Sequence, residues 1–161
     1  MEQNRLKKII ADRNEKQYPL LQVLLAVQDA NPKNYVSEEA IRQISAELKI
    51  SRSRVYSTAS FYSEISLNPR GENIIRVCSN APCENAGKKE ILEAIKSLLK
   101  IDIGETTNDQ SFTLESVNCL GGCYMSPSIK INDRIFGDLS PKDIPGIIAL
   151  YEKECMCNET A

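Results

Sequence analysis

The sequence predicts a mixed α+β, α/β protein in two parts: an N-terminal helical bundle over residues 1–70, then an α/β domain over residues 71–161 that ends in a polar tail. Three observations carry that reading. Before residue 70 apolar residues recur at helical spacing, while after it short β-branched runs alternate with a long amphipathic stretch. Between the two lies SLNPRGEN, where Pro69 and Gly71 interrupt the helical pattern. At 161 residues the chain has room for one domain or a small pair.

The elements follow in order. YPLLQVLLAVQDA is strongly apolar and runs into NPKN, where Pro32 suits a chain leaving a helix. Ser37 is a candidate N-cap, with Glu38 and Glu39 in the first turn, where the helix dipole favours acids. Ile41, Ile44 and Leu48 give that helix one buried stripe. The next segment, SRSRVYSTASFYSEI, puts Val55, Ala59 and Tyr62 on one face. Phe61 and Tyr62 suit either the bundle core or a docking surface, where aromatic residues are enriched. Short helices with short connections make a small bundle.

After the boundary, ENIIRV reads as a strand, and Ile91, Leu92, Ile95, Leu98 and Leu99 as a broad helical face with Gly104 ending the connection. FTLESV supplies a second strand. SIKI and RIF read as a hairpin around Asn132 and Asp133, residues that tolerate positive φ. Ser140 is expected to cap a last helix with Pro141 at its first position, followed by Ile144, Ile147, Ile148 and Tyr151. Pro145 is awkward in that first turn, and the tail beyond Tyr151 is expected to fray. Strand, crossover helix, strand, hairpin and terminal helix is the order of a thioredoxin-like domain.

Composition excludes several functions. A net charge of −2 argues against non-specific nucleic-acid binding, which needs a basic surface. No apolar run reaches membrane-spanning length, and the polar start MEQNRLKKIIADRNEK lacks a secretory signal. The protein is therefore read as cytoplasmic, with reduced thiols. The complete absence of histidine removes Ser-His-Asp triads, Cys-His nucleophiles, His-containing zinc sites and Rieske centres.

Chemistry concentrates in four of the six cysteines. Cys78 and Cys83 lie in VCSNAPC, and Cys119 and Cys123 in NCLGGC; each pair follows a β-like run. Two strand-end loops can converge and bring four thiolates together, which suits a [2Fe–2S] cluster with two thiolates on each iron. Such a centre is negatively charged and needs N–H donors, and Gly121 and Gly122 let backbone amides approach sulfur. Pro82 and Pro127 stiffen the loops, and Glu84 would lower the cluster potential if it faced the sulfurs. Three other readings stand beside this one. A Cys₄ zinc site usually shows a C-x₂-C pair, absent here. Structural disulfides fit poorly with reduced thiols, and a catalytic thiol–disulfide centre wants C-x-x-C at a helix start.

The block GETTNDQSFTLESVNCLGGC, preceded by VYSTASFYSEISLNPRGENIIRVC, resembles the small thioredoxin-like [2Fe–2S] subunit of NADH:quinone oxidoreductase (complex I) and of NAD(P)-linked hydrogenases and formate dehydrogenases. The similarity runs from about Tyr18 to about Tyr151. It implies one [2Fe–2S] cluster on Cys78, Cys83, Cys119 and Cys123. It also implies a flavoprotein partner that carries FMN and the NAD(P)H site, together with further iron–sulfur, hydrogenase or formate dehydrogenase subunits. No glycine-rich dinucleotide loop follows a strand here, consistent with nicotinamide binding elsewhere. Cys155 and Cys157, in KECMCNET, depart from the family pattern. They read either as incidental thiols or as an extra metal or redox contact, and they tilt the expected parent complex towards a soluble hydrogenase or formate dehydrogenase, electron-bifurcating types included. The alternatives are a respiratory NADH:quinone oxidoreductase, a free-standing ferredoxin and a zinc-stabilised adaptor without redox activity.

Overall fold

A computed structural model of the chain describes residues 8–11 and 19–158, with side chains described for 8–11 and 20–152. It divides into two compact units, Met1–Arg70 and Gly71–Ala161.

The first unit is helical. Residues 8–11 are helical and contribute Ile10 to the core. Three longer helices follow: α1 (Pro19–Asp29), α2 (Glu38–Leu48) and α3 (Arg52–Phe61). Local chemistry sets their ends. Ser37 Oγ accepts from Ala40 N–H at 3.2 Å and Ser51 Oγ from Arg54 N–H at 3.2 Å, satisfying amides that have no intrahelical partner. α2 stops at Lys49, which adopts the left-handed conformation (φ 53°) and donates back to the last turn. Val23, Leu24, Val27, Ile44, Val55 and Ala59 are fully buried in one apolar cluster. Gln28 is buried among them with both ends paired: its Nε2 donates to Glu64 O (2.9 Å) and its Oε1 accepts from Ser66 N–H (2.7 Å), tying α1 to the segment after α3. One expectation is corrected. Tyr62 does not continue the buried stripe of Val55 and Ala59; α3 ends one residue earlier, and Tyr62 turns to an extended conformation with 41% exposure.

The second unit runs β1 (Asn73–Cys78), α4 (Ala81–Asn85), α5 (Lys88–Leu99), β2 (Phe112–Val117), a 3₁₀ turn (Cys123–Met125), β3 (Ile129–Ile131), β4 (Arg134–Phe136) and α6 (Ile144–Asn158). The sheet order is β2-β1-β3-β4. β1 and β2 are parallel and in register from Asn73↔Phe112 to Cys78↔Val117, while β3 and β4 are antiparallel to their neighbours. Ile75, Val77, Phe112, Leu114, Ile129 and Ile131 share a core with Ile91 and Ile95 of α5 and Ile144, Ile148 and Tyr151 of α6. Arg76, on the alternate phase of β1, pairs instead with Glu115 of β2 at 3.1 Å.

Several details differ from the sequence reading. The apolar stripe of α5 is narrower, because Leu98 is 43% exposed. The helix ends in left-handed Lys100 (φ 56°), and Gly104 (φ 88°) serves the following turn. The hairpin needs positive φ only at Asn132 (φ 50°). Its side chain also accepts from Ile74 N–H at 2.9 Å and so pins the turn to β1. The last helix begins at Ile144 and not at Pro141, so Ser140 lies four residues ahead of it. Asp143, just before Ile144, accepts from the Ser140 amide (2.8 Å) and hydroxyl (2.6 Å) and so ties Ser140 back to the start of the helix. Those bonds hold its carboxyl below the usual range. Pro145 then falls in the first turn, where a missing N–H is harmless, and causes no break. The helix continues past Tyr151 to Asn158, and residues 159–161 lie outside the described residues. No helix among the described residues is long and apolar enough to cross a membrane.

Gly71 opens the second unit, and a Cβ there would stand 2.8 Å from Phe112 N and 2.9 Å from Gln110 O, both backbone atoms. Gly71→Ala is therefore expected to push the chain away from β2 and to lower stability by about 1–3 kcal/mol. Chemical denaturation with an unchanged m-value would verify it; an unaltered midpoint would mean that β2 yields without cost.

Candidate metal centre

Parallel pairing places the C-terminal ends of β1 and β2 side by side, and that edge carries all four cysteines of the two motifs. Cys78 is the last residue of β1, opposite Val117, and Cys119 follows two residues after β2 ends. The chain after β1 is also sewn to this edge, since Ser79 N–H and Oγ–H both donate to Val117 O, at 2.7 and 2.9 Å. Cys83 lies on α4, not in an open loop. The turn after β1 closes into one helical turn in which Pro82 occupies an early position that needs no N–H. Cys123 begins the 3₁₀ turn before β3. Because Ile129 pairs with Val77, the residue before it, Ser128, enters at the same edge.

The cysteines fall into two unlike pairs. Cys78 and Cys83 are each 1% exposed, whereas Cys119 and Cys123 are exposed. Cys119 Sγ and Cys123 Sγ stand 3.9 Å apart. That separation is far from a disulfide bond length of about 2.05 Å. It fits two thiolates on one tetrahedral metal, which at metal–sulfur distances of about 2.3 Å lie about 3.8 Å apart. Cys83 is close enough to Cys78 to raise its thiol, and Cys78 Sγ–H donates to Asn118 O at 3.4 Å. Two adjacent thiol pairs are the donor set that a two-iron cluster takes, so these residues fit a [2Fe–2S] centre.

Donors surround the sulfurs. Gly121, at φ 82°, aims its N–H at Cys119 Sγ (3.4 Å), and the Asn80 side chain reaches the same sulfur. The Asn80 and Leu120 amides serve Cys78; the Ser128 amide and the Ser126 and Ser128 hydroxyls serve Cys83. Burial pushes the Cys78 thiol up. Burial also raises Cys83, but the Ser126 and Ser128 hydroxyls, the Ser128 amide and Cys78 together outweigh it and leave this thiol below its ordinary value. The Gly121 amide lowers Cys119, while the neighbouring Cys119 raises Cys123. Each pair thus holds one thiol that ionises readily, the form that binds metal.

Of the other residues singled out in the sequence, Gly122 is buried behind the loop, where a Cβ would meet Met125 and Ser128. Glu84 is turned to Lys88 (2.5 Å), its ion-pair partner one helical turn on. Phe61 is 80% exposed and lies against Tyr62 edge-to-face, outside the core. The side chains of Cys155 and Cys157 lie outside the described residues. Sequence reasoning missed Asn80, Ser126 and Ser128. Their signal was their position beside cysteines, but only the β1–β3 register shows Ser128 facing Cys83.

In metal-free protein, exposure predicts the order of alkylation. Iodoacetamide is expected to modify Cys119 first and Cys123 next, and to reach Cys78 and Cys83 only on unfolding, as read by peptide mapping. Equal rates at all four would contradict the buried and exposed pairs.

Known proteins match the chain along the same lines. A family model described as thioredoxin-like [2Fe-2S] ferredoxin matches residues 6–152. An NADH-quinone oxidoreductase subunit of Buchnera aphidicola subsp. Acyrthosiphon pisum (strain APS) is 43% identical over 120 residues, 74% of each chain. The HndA subunit of an NADP-reducing hydrogenase of Solidesulfovibrio fructosivorans is 30% identical over 117 residues, 73% of this chain and 68% of that one. Among solved structures, an NAD+-reducing [NiFe]-hydrogenase in the air-oxidized state superposes with a TM-score of 0.72 at 20% identity. That match covers 86% of this chain and 24% of the hydrogenase chain.

Proposed function

The chain belongs to the thioredoxin-like [2Fe-2S] ferredoxin family, and from that premise we propose that it is the iron–sulfur electron-transfer subunit of a multi-subunit NAD(P)H-linked oxidoreductase. Cys78, Cys83, Cys119 and Cys123 are the proposed ligands of its one [2Fe–2S] cluster. The observation that carries this reading is the convergence of two thiol pairs on one sheet edge, one pair buried and one exposed. Such a cluster, when bound, supplies reversible one-electron chemistry. The residues of this chain provide its setting. Cys78 and Cys83 anchor the centre out of water, amides and hydroxyls oppose its negative charge, and the exposed Cys119 and Cys123 leave one side within reach of a partner.

The partner is a flavoprotein subunit that carries FMN and the nicotinamide site. Hydride transfer delivers two electrons to a flavin, and a one-electron acceptor beside it separates them. The tail cysteines favour a soluble hydrogenase or formate dehydrogenase as the parent complex. The 43% identity to a quinone-reductase subunit, against 30% to a hydrogenase subunit, favours NADH:quinone oxidoreductase, and we give that the greater weight. A surface suited to the flavoprotein lies on α3, where Phe61 (80% exposed) and Tyr56 (56%) accompany exposed Arg52 and Arg54.

Anaerobically purified protein is expected to contain two irons and two sulfides per chain, with a spin-one-half EPR signal that appears only on dithionite reduction. Cys83→Ala should lose both iron and signal. Stoichiometric zinc without a signal would make the chain a structural adaptor and end the redox reading. Replacing Phe61 and Tyr56 by Ala is expected to weaken binding to the flavoprotein subunit about tenfold while the EPR spectrum stays unchanged. An unaltered Kd in calorimetry would remove α3 from the interface.

A further inference from the structure

Cys83 sits among more donors than metal ligation requires. Its Sγ is 3.5 Å from Ser126 Oγ and 3.6 Å from Ser128 Oγ. These hydroxyls are not equivalent, because each has one proton to place. Ser126 has a second partner for its proton, the Cys123 carbonyl at 2.9 Å, and that bond holds the 3₁₀ turn. Ser128 has no such alternative. It is 2% exposed, and Cys83 Sγ is the one hydrogen-bond partner of its Oγ among the described residues. A neutral thiol could give or receive that bond. A metal-bound cysteine has no proton, so the direction is then fixed, and the hydroxyl must donate to sulfur.

We propose that Ser128 is a positioning residue that sets the reduction potential of the centre by donating a buried hydrogen bond to Cys83 sulfur. The inference rests on Cys83 being a ligand, as proposed above. Its physical basis is differential. Reduction adds one negative charge to the centre, so a donor on sulfur binds the reduced form more strongly and raises the potential. Burial removes competing water and strengthens that preference. Amide donors such as Gly121 N–H act alike but persist whatever the side chain. Ser128 is a side-chain donor, so its contribution depends on one replaceable group.

The test is an EPR-monitored redox titration of the full-length, cluster-loaded protein as wild type, S128A, S126A, S128T and S128V, with iron and sulfide measured on each. S128A is expected to bind iron fully and to shift the reduction equilibrium three- to tenfold towards the oxidised form; tenfold corresponds to about 59 mV for one electron. S126A should shift it by much less, and S128T should stay near wild type while its isostere S128V follows S128A. If S128A does not take up iron, the Thr and Val variants decide the matter at equal side-chain shape. Full iron with an unchanged potential in S128A, or equal potentials in S128T and S128V, would overturn the proposal. Absence of iron from the wild-type protein would instead overturn the ligand assignment.

Discussion

Parallel pairing of β1 with β2 is the constraint on which the second unit depends. The register from Asn73↔Phe112 to Cys78↔Val117 makes both strands end at the same edge. A parallel pair needs a crossover of a dozen or more residues, and α5 supplies it while burying Ile91 and Ile95 against the sheet. Cys78 and Cys119, far apart in the chain, thereby become neighbours without either loop having to reach. β3 then enters antiparallel beside β1 and brings Ser128 to the edge from the other direction. At the opposite end, Gly71 lets the chain pass so close to the start of β2 that a Cβ there would stand within 3 Å of backbone atoms.

The centre that results is lopsided for physical reasons. Cys78 belongs to a strand buried on nearly all positions, and Cys83 is folded back on it by a single helical turn, so that pair is dry. Cys119 and Cys123 belong to a Gly-containing loop beyond the sheet and remain open to solvent. A charge-bearing redox centre benefits from both conditions. Fixed donors and low exposure define the energy of its two states, while access on one side allows electrons to enter and leave. The polar groups on the buried side are matched to sulfur; among the described residues none of the buried side-chain nitrogens or oxygens lacks a partner.

In the helical unit, stability and surface chemistry are allotted to different faces. Ser37 and Ser51 fix where α2 and α3 begin, and Val55 and Ala59 supply the inner face of α3. Its outer face carries Tyr56 and Phe61 in water, the surface proposed above for the flavoprotein. Two arginines on the same helix suit a partner surface bearing carboxylates.

Local signals were legible from the residues alone. Ser37 before two glutamates is a cap, the stripe Ile41–Ile44 is a buried face, and the strand–helix–strand–hairpin–helix order follows from periodicity, because each depends on residues within about one turn or one pleat. The cysteine spacing likewise pointed to iron–sulfur chemistry before any contact was known. Features settled by competition between neighbours or by strand register were not legible. The last helix starts at Ile144, where Asp143 just before it holds the Ser140 amide and hydroxyl, and Lys88 drew Glu84 into an ion pair one helical turn away. Ser128 looked like any serine before a strand. Its role near Cys83 depends on Ile129 pairing with Val77, a register fixed by which face of β3 is buried, and a linear sequence does not state that pairing.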